Sequence, residues 1–163
     1  MTVFFTRLKV GWPEHQESPE DWDGCWRVYT ICSGPNVNQS TTIADVNVLE
    51  RNDRYDARTS FHGLLQKAHT GMNFKDLYDE KQCHEAHSFK DANHHEIKIH
   101  RIWGTGKIRM YFLYLPGKKI VLIKTWAKRK NKLTKGDEEQ LENMAKLVTA
   151  CLKNYSFESR EIP

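Results

Sequence analysis

The segment from residue 94 to 135 constrains the fold more than any other part of the chain, because it has the pattern of three consecutive β-strands. The three runs, each rich in β-branched and aromatic residues, are Glu96–Trp103, Lys107–Leu115 and Lys119–Trp126. Gly104-Thr105-Gly106 and Pro116-Gly117 separate them, and both breaks are short enough for antiparallel hairpins. The segment therefore predicts a three-stranded antiparallel meander.

The turns between these strands decide which side chains share a face of the predicted sheet. The shortest turns pair Trp103 with Lys107 and Leu115 with Lys118. Counting back along the strands then places Arg101, Arg109 and Lys124 in one row. The opposite face of the last two strands is apolar and consists of Ile108, Met110, Phe112, Tyr114, Val121 and Ile123. A helix layer would cover that face, so we expect the cationic row to face solvent.

Positive charge is concentrated in the same segment. Residues 94–135 hold 12 of the 25 Lys and Arg residues but only one of the 21 acids, Glu96, although the whole chain has a net charge of only +4. Like charges on neighbouring strands destabilise a sheet by about 0.2–1 kcal/mol per pair, so a cationic row favours a polyanionic ligand. The alternative is a solvated face whose cations pair with acids elsewhere in the chain.

Helices are predicted on both sides of the meander. Asp45 is a plausible N-cap for a short segment through Glu50, and a longer helix is expected from about Asp53 to His69. Thr134 begins a Thr-x-x-Asp capping signature for a last helix. The apolar stripe of this helix consists of Leu141, Met144, Ala145, Val148, Cys151 and Leu152. The chain therefore predicts an α+β fold in which two N-terminal helices and a C-terminal helix pack on an antiparallel sheet.

The ends of the chain differ in composition from its centre. Residues 2–10 could form a strand, but residues 11–24 are polar, acidic and contain proline, so we assign residues 1–25 to an N-terminal appendage. Residues 26–153 form the main domain, and residues 154–163 a loose tail. No run approaches the ~20 apolar residues of a membrane-spanning helix, and the four cysteines show no CxxC pair. A cytoplasmic protein with free thiols and no membrane association is expected.

The segment before the meander is rich in histidine. Residues 72–93 are polar and are expected to be irregular, and Cys83, His84 and His87 lie there, with His94 just beyond. A structural zinc site usually takes its ligands in closely spaced pairs, and the paired cysteines are missing here. We therefore expect no metal site and no cofactor.

Three short motifs resemble those of a known family. Glu96-Ile97-Lys98-Ile99-His100-Arg101, Lys107-Ile108-Arg109-Met110-Tyr111 and Trp126-Ala127-Lys128-Arg129-Lys130 are similar to strand motifs of the RelE/HigB-type bacterial toxins. These toxins are the mRNA interferases of toxin–antitoxin systems, including phage-derived relatives. The resemblance covers roughly residues 26–152. It implies a RelE-like toxin fold, endoribonuclease activity on mRNA and a small acidic antitoxin protein as partner.

The resemblance also implies roles for individual residues. Arg109 and Arg129 match the positions that stabilise the reacting phosphate and the leaving group, with Lys98, Arg101 or Lys128 as supporting cations. Some relatives place a tyrosine after the basic motif, where it stacks on a base or orients the nucleophile. Residues 130–142 of this chain contain no aromatic residue.

Cleavage of RNA without a metal needs a base for the 2′-hydroxyl, fixed cations for the phosphorane and an acid for the leaving oxygen. Lys124 or Lys128 could be the base if neighbouring cations lower its pKa, and His100 could be the base without such a shift. Residues expected to bind RNA by stacking or charge are Lys98, Arg101, Lys107, Tyr111, Trp126, Lys130 and Lys132.

Two other functions remain open at this point. ParE-like toxins share the fold and bind DNA gyrase, and an inactive RNA-binding module would carry the same basic surface. Arg109 and Arg129 favour the nuclease over the gyrase binder, because phosphate-directed arginines contribute little at a protein interface that offers no acids. The RNA sequence, the need for a ribosome and the identity of the base stay open.

Overall fold

The computed structural model describes residues 4–8, 21–34, 39–128 and 132–152, which form an α+β fold around one six-stranded sheet. The strands are β1 (Phe4–Leu8), β2 (Arg27–Cys32), β3 (Cys83–Lys90), β4 (Glu96–Trp103), β5 (Ile108–Leu115) and β6 (Lys119–Ala127). The helices are α1 (Thr41–Asn47), α2 (Arg51–His69), α3 (Phe74–Leu77) and α4 (Lys135–Leu152). The strand order is β1-β2-β6-β5-β4-β3. All neighbours are antiparallel except β2 and β6, so the sheet is mixed rather than purely antiparallel as predicted.

Both faces of the sheet are buried. On one face α2 and α3 contribute Phe61, Leu64 and Phe74 to a core with Met110 and Phe112. On the other face α4 covers a second core, in which its residues Leu141, Ala145 and Val148 share a cluster with Tyr29, Val121 and Ile123. Residues 108–113 of β5 are therefore buried without interruption. This double coverage explains why β5 is a nearly continuous apolar run rather than an alternating one.

The N-terminal strand belongs to the sheet. β1 pairs with β2 along its whole length, and Phe5 and Leu8 are fully buried. Arg7, also buried, makes an ion pair of 2.7 Å with Asp21. The expectation that residues 1–25 form an appendage is therefore wrong for this strand, because β1 covers the edge that β2 would otherwise expose. The predicted tail, residues 154–163, lies outside the described residues.

The segment of residues 72–93 contains regular secondary structure, although it was predicted to be irregular. It contains α3 and the edge strand β3, which pairs with β4 from Cys83 to Lys90. An edge strand can carry polar side chains on its exposed positions, and α3 is too short to show a helical period. The polar composition of this segment therefore gave no sequence signal for either α3 or β3.

The helix ends follow local hydrogen bonds. Ser40, not Asp45 as predicted, caps α1, and its Oγ accepts a hydrogen bond of 3.1 Å from the backbone N–H of Ile43. The predicted capping signature of α4 is confirmed, because Thr134 and Asp137 each accept a hydrogen bond from the backbone N–H of the other. None of the helices in the described ranges is both long enough and apolar enough to cross a membrane.

The register of the meander differs from the prediction. Trp103 lies opposite Arg109 rather than Lys107, because the first turn is longer than assumed. Arg101 consequently faces Tyr111, and Tyr111 faces Lys124 across a β-bulge. The predicted row of three cations is therefore interrupted by a tyrosine. Arg109 lies two residues before Tyr111 on β5, nearer the end of the sheet.

The carboxylate of Asp45 supplies a hydrogen-bond acceptor to β6 beyond the point where its pairing with β2 ends. The pairing of β2 with β6 ends at Leu122, and α1 packs beside the rest of β6. Asp45, 8% exposed, accepts a hydrogen bond of 2.9 Å from the backbone N–H of Thr125 and one of 2.9 Å from the Lys124 ammonium. Burial raises the pKa of Asp45, while Lys124 and then the Thr125 N–H act in the opposite direction. The carboxylate thus takes the place of a neighbouring strand's acceptor.

Replacing Asp45 with alanine should destabilise the fold. Asp45→Ala leaves a backbone N–H of β6 and the Lys124 ammonium without their partner, so we expect a loss of about 2–4 kcal/mol in the free energy of unfolding. Urea denaturation measures this loss. The exposed Glu80→Ala is the matched control and should stay within about 0.5 kcal/mol of the wild type. Equal midpoints for the two variants would contradict the role given to Asp45.

Candidate functional site

A cleft of about 420 Å³ lies where the C-terminal end of β6 meets the N-terminal end of β5 and the C-terminal end of β4. Residues at the C-terminal end of α1 form one wall, and the residues that begin α4 form the other. The basic residues that line it are Arg101, Arg109, Lys124, Lys128 and Lys132. Its acids are Asp45 and Asp137, which accept hydrogen bonds from β6 and from the start of α4 respectively. The charges that line the cleft therefore favour the binding of an anion.

Arg109 is the most deeply placed of these cations. It is 4% exposed, and its guanidinium carbon lies 4.1 Å from the centre of the Trp103 ring. One guanidinium N–H donates to the Ile108 carbonyl at 3.1 Å, whereas Nε is buried without a partner among the described residues. Burial and then the charge of Arg101 lower the pKa of Arg109. Across the described residues no carboxylate makes an ion pair with Arg109, so a buried charge is left facing the cleft.

Arg101 and Tyr111 lie opposite each other on β4 and β5, next to the pair formed by Trp103 and Arg109. Arg101 makes a hydrogen bond of 2.8 Å with the His84 ring and also bonds the Tyr111 hydroxyl. Burial raises the pKa of Tyr111, although both arginines oppose that change, so the phenol keeps its proton at neutral pH. The Tyr111 ring packs edge-on against Trp126, with 5.4 Å between the ring centres. Tyr111 and Trp126, which were predicted to stack on bases, therefore pack against each other and form part of the cleft wall.

The lysines of the cleft differ in how they are held. The Lys124 ammonium bonds Asp45 and lies 5.5 Å from the Trp126 ring centre, so losing its proton would also lose the ion pair. This makes Lys124 unsuited to the predicted role of base. Lys128 lies beside the exposed Trp103, and Lys132 is exposed at the rim. The predicted residues Arg129 and Lys130 lie outside the described part of the chain.

Three predicted site residues do not line the cleft. Lys98 and His100 alternate along β4 with the buried Ile97 and Ile99, so they lie on the α2 side of the sheet. The His100 ring packs against Phe112 and Tyr114 there. Lys107 is exposed in the turn before β5. The prediction of His100 as the catalytic base is therefore wrong for this cleft.

Sequence reasoning also missed residues that the fold brings to the site. Asp45 comes from α1 and Asp137 from α4, and neither has a local sequence signal that connects it to the meander. The contact of Trp103 with Arg109 depends on the observed register, so no local pattern could have predicted it. In the ranges that the structure covers, no three His, Cys, Asp or Glu side chains converge to form a metal site.

Comparisons of the chain with protein-family models, with curated proteins and with solved structures found no match. The resemblance to RelE/HigB-type toxins accordingly stays a prediction from three short motifs. The chemistry of the cleft is the independent basis for assigning a function.

The stability of the fold should depend on the protonation of His100. Burial is the main cause that lowers its pKa from 6.5; Glu85 raises it, and Lys75 and Lys98 lower it further. As the pH falls through about 6.5, the unfolded chain takes up a proton that the folded protein resists, so stability is lost. We therefore expect the wild type to lose more stability between pH 7.5 and 5.5 than His100→Phe does.

Urea midpoints at the two pH values measure this difference. His62→Phe is the matched control, because His62 is exposed on α2 and should leave the pH dependence of the wild type unchanged. The same loss in the wild type and in His100→Phe would show that His100 does not couple folding to pH.

Proposed function

We propose that this chain binds RNA in the cleft and cleaves it, as the endoribonuclease toxin of a toxin–antitoxin system acting in the cytoplasm. The observation that supports this most is the buried guanidinium of Arg109, which faces the cleft and has no carboxylate partner in the described chain. An unpaired charge is costly to bury. Such a group is expected at sites that bind an anion.

The chemistry of the neighbouring residues favours a phosphate group of a nucleic acid. A guanidinium presents a planar fork of donors that matches phosphate oxygens, and Arg101 places a second one beside Arg109. Trp103 is 38% exposed and adjoins Arg109, so it offers a face on which a base can stack. Lys128 and Lys132 extend the positive charge to the rim, where the continuing strand would pass.

The same residues can be assigned to the steps of RNA cleavage. In the proposed reaction the 2′-oxygen forms a bond to phosphorus, and the bond from phosphorus to the 5′-oxygen breaks. Arg109, Arg101 and the Tyr111 hydroxyl stabilise the charge that develops on the phosphorane. The 2′-hydroxyl proton passes to water, since His100 faces the other side of the sheet and Lys124 is paired with Asp45. The 5′-oxygen takes a proton from water, and by family resemblance Arg129 is the cation that stabilises this leaving group.

An acidic antitoxin protein is the partner that this cleft would require in a cell. Five cations line the cleft, and both of its acids are already hydrogen-bonded. Free in a cell, such a surface would bind RNA without selection. An acidic segment that enters the cleft would cover it and compete with RNA. Unchanged RNA binding in the presence of a candidate antitoxin would exclude that candidate.

Replacing Arg109 should separate cleavage from binding. Arg109→Lys keeps the positive charge but loses the fork of donors, so the cleavage rate should fall about 10²–10³-fold while RNA affinity falls less than about tenfold. Lysine also retains most of the packing at this buried position. Alanine would not, because Arg109 contacts Trp103 and is not on a solvent face as predicted. Cleavage of a labelled RNA and its equilibrium binding give the two quantities.

Lys98→Ala is the matched control, because it removes an exposed cation from the opposite side of the sheet and should change neither quantity more than about twofold. Urea midpoints confirm that each variant is folded. If the wild type binds RNA but does not cleave it, the chain is a passive RNA binder. If Arg109→Lys cleaves as fast as the wild type, the catalytic role given to Arg109 is wrong.

The cleavage should also survive chelation of divalent ions. The proposed mechanism stabilises the phosphorane with arginines and the Tyr111 hydroxyl, so it has no step that requires a metal. Equal cleavage rates with and without EDTA are expected. Loss of cleavage in EDTA with recovery on adding Mg²⁺ would contradict the mechanism while leaving RNA binding in the cleft intact.

A further inference from the structure

A second pocket continues from the cleft. It has a volume of about 290 Å³ and lies between α1 and α4, with β6 contributing its floor. Asp45 and Lys124 line both cavities, so their ion pair forms the boundary between them. The other lining residues are Thr41, Ala44, Ile123, Gln140, Asn143 and Met144. The proposed mechanism uses none of these six residues.

We propose that this second pocket binds the base of the nucleotide whose phosphate lies at Arg109, and that it selects adenine. The inference rests on the proposed function, because it concerns the same RNA ligand. It adds a base-recognition site and a sequence preference, neither of which the cationic cleft provides. Phosphate contacts position a strand, whereas contacts to base edges specify its sequence.

The lining has one apolar part and one part that can recognise a base edge. Ile123 and Met144 offer apolar and polarisable contact to the flat face of a base. The side-chain amides of Gln140 and Asn143 make no hydrogen bond within the described chain, and both are exposed toward solvent. Each amide carries a donor and an acceptor side by side, so an unpaired base edge can bond both.

The charges of the pocket favour adenine over guanine and cytosine. Amide side chains bond the paired donor and acceptor of adenine, whereas guanine is usually bound by Arg or Lys and cytosine by a carboxylate. Lys124 and Asp45 are the charged residues in the lining, and they bond each other at 2.9 Å. The groups left to recognise a base are therefore the two amides and the Thr41 hydroxyl, whose oxygen is buried without a partner among the described residues.

The two cavities adjoin along α4. Asp137 lines the cleft and Gln140 lines the second pocket. These residues are three positions apart on α4, which is about 4.5 Å along a helix axis. Asn143 follows after another three positions, so both amides lie on the same side of the helix. A phosphate at Arg109 and a base between α1 and α4 are consequently compatible with one ribonucleotide.

Titration with the four ribonucleoside 5′-monophosphates tests the proposal without requiring cleavage. In ¹H–¹⁵N spectra, AMP should shift the side-chain amide signals of Gln140 and Asn143 and bind about tenfold or more tightly than GMP, CMP or UMP. The double variant Gln140→Leu with Asn143→Leu should reduce this preference to within about twofold. Asn52→Leu, which removes an exposed amide from α2, should leave the preference unchanged.

The outcomes separate this proposal from the proposed function. If RNA binds in the cleft while no monophosphate shifts the two amide signals, or if the four nucleotides bind equally, the base pocket is wrong and the RNA-binding cleft stands. If AMP binds selectively while RNA is not cleaved, the base pocket stands and the nuclease is wrong. A preference that survives in the double variant would also overturn the proposal.

Discussion

The arrangement of the whole site depends on the carboxylate of Asp45. Strand β6 loses its parallel neighbour after Leu122, so its backbone would expose an unpaired N–H in a region covered by α1. Asp45 satisfies the N–H of Thr125 and neutralises Lys124 with its second oxygen. One side chain therefore secures α1 to the sheet, allows β6 to continue beyond β2 and forms the boundary between two cavities. A neutral residue could not compensate the ammonium at this depth.

Arg109 illustrates a conflict between stability and binding. Its guanidinium is stacked on Trp103 and covered by the fold, yet no carboxylate in the described chain balances it. A carboxylate there would stabilise the folded protein but would occupy the donors that an anion needs. The neighbouring acids are committed instead to Lys124 and to the first turn of α4. The fold therefore keeps the charge of Arg109 available, at a cost in stability that the two cores must offset.

Local sequence patterns predicted the bounds of the meander strands and of the last helix better than they predicted which strands pair with each other. The bounds of β4, β5 and β6 were predicted to within a residue, because β-branched and aromatic runs flanked by glycine are a local signal. The capping signature of α4 was predicted for the same reason. The prediction missed β3, whose exposed edge position permits polar residues, and it treated β1 as separate although its partner β2 lies about twenty residues away. Strand pairing depends on tertiary contacts that no local window contains.

The sequence by itself determined where charge accumulates, where the three strands of the meander lie and where the last helix begins, because each depends on neighbouring residues only. The tertiary structure decided which of the cations meet. A longer first turn placed Trp103, and not Arg101, directly opposite Arg109, since each shift in register changes the partner of every residue in a strand. The alternation of β4 placed His100 on the face opposite the cleft. Asp45 and Asp137 reached the cleft only through the packing of α1 and α4.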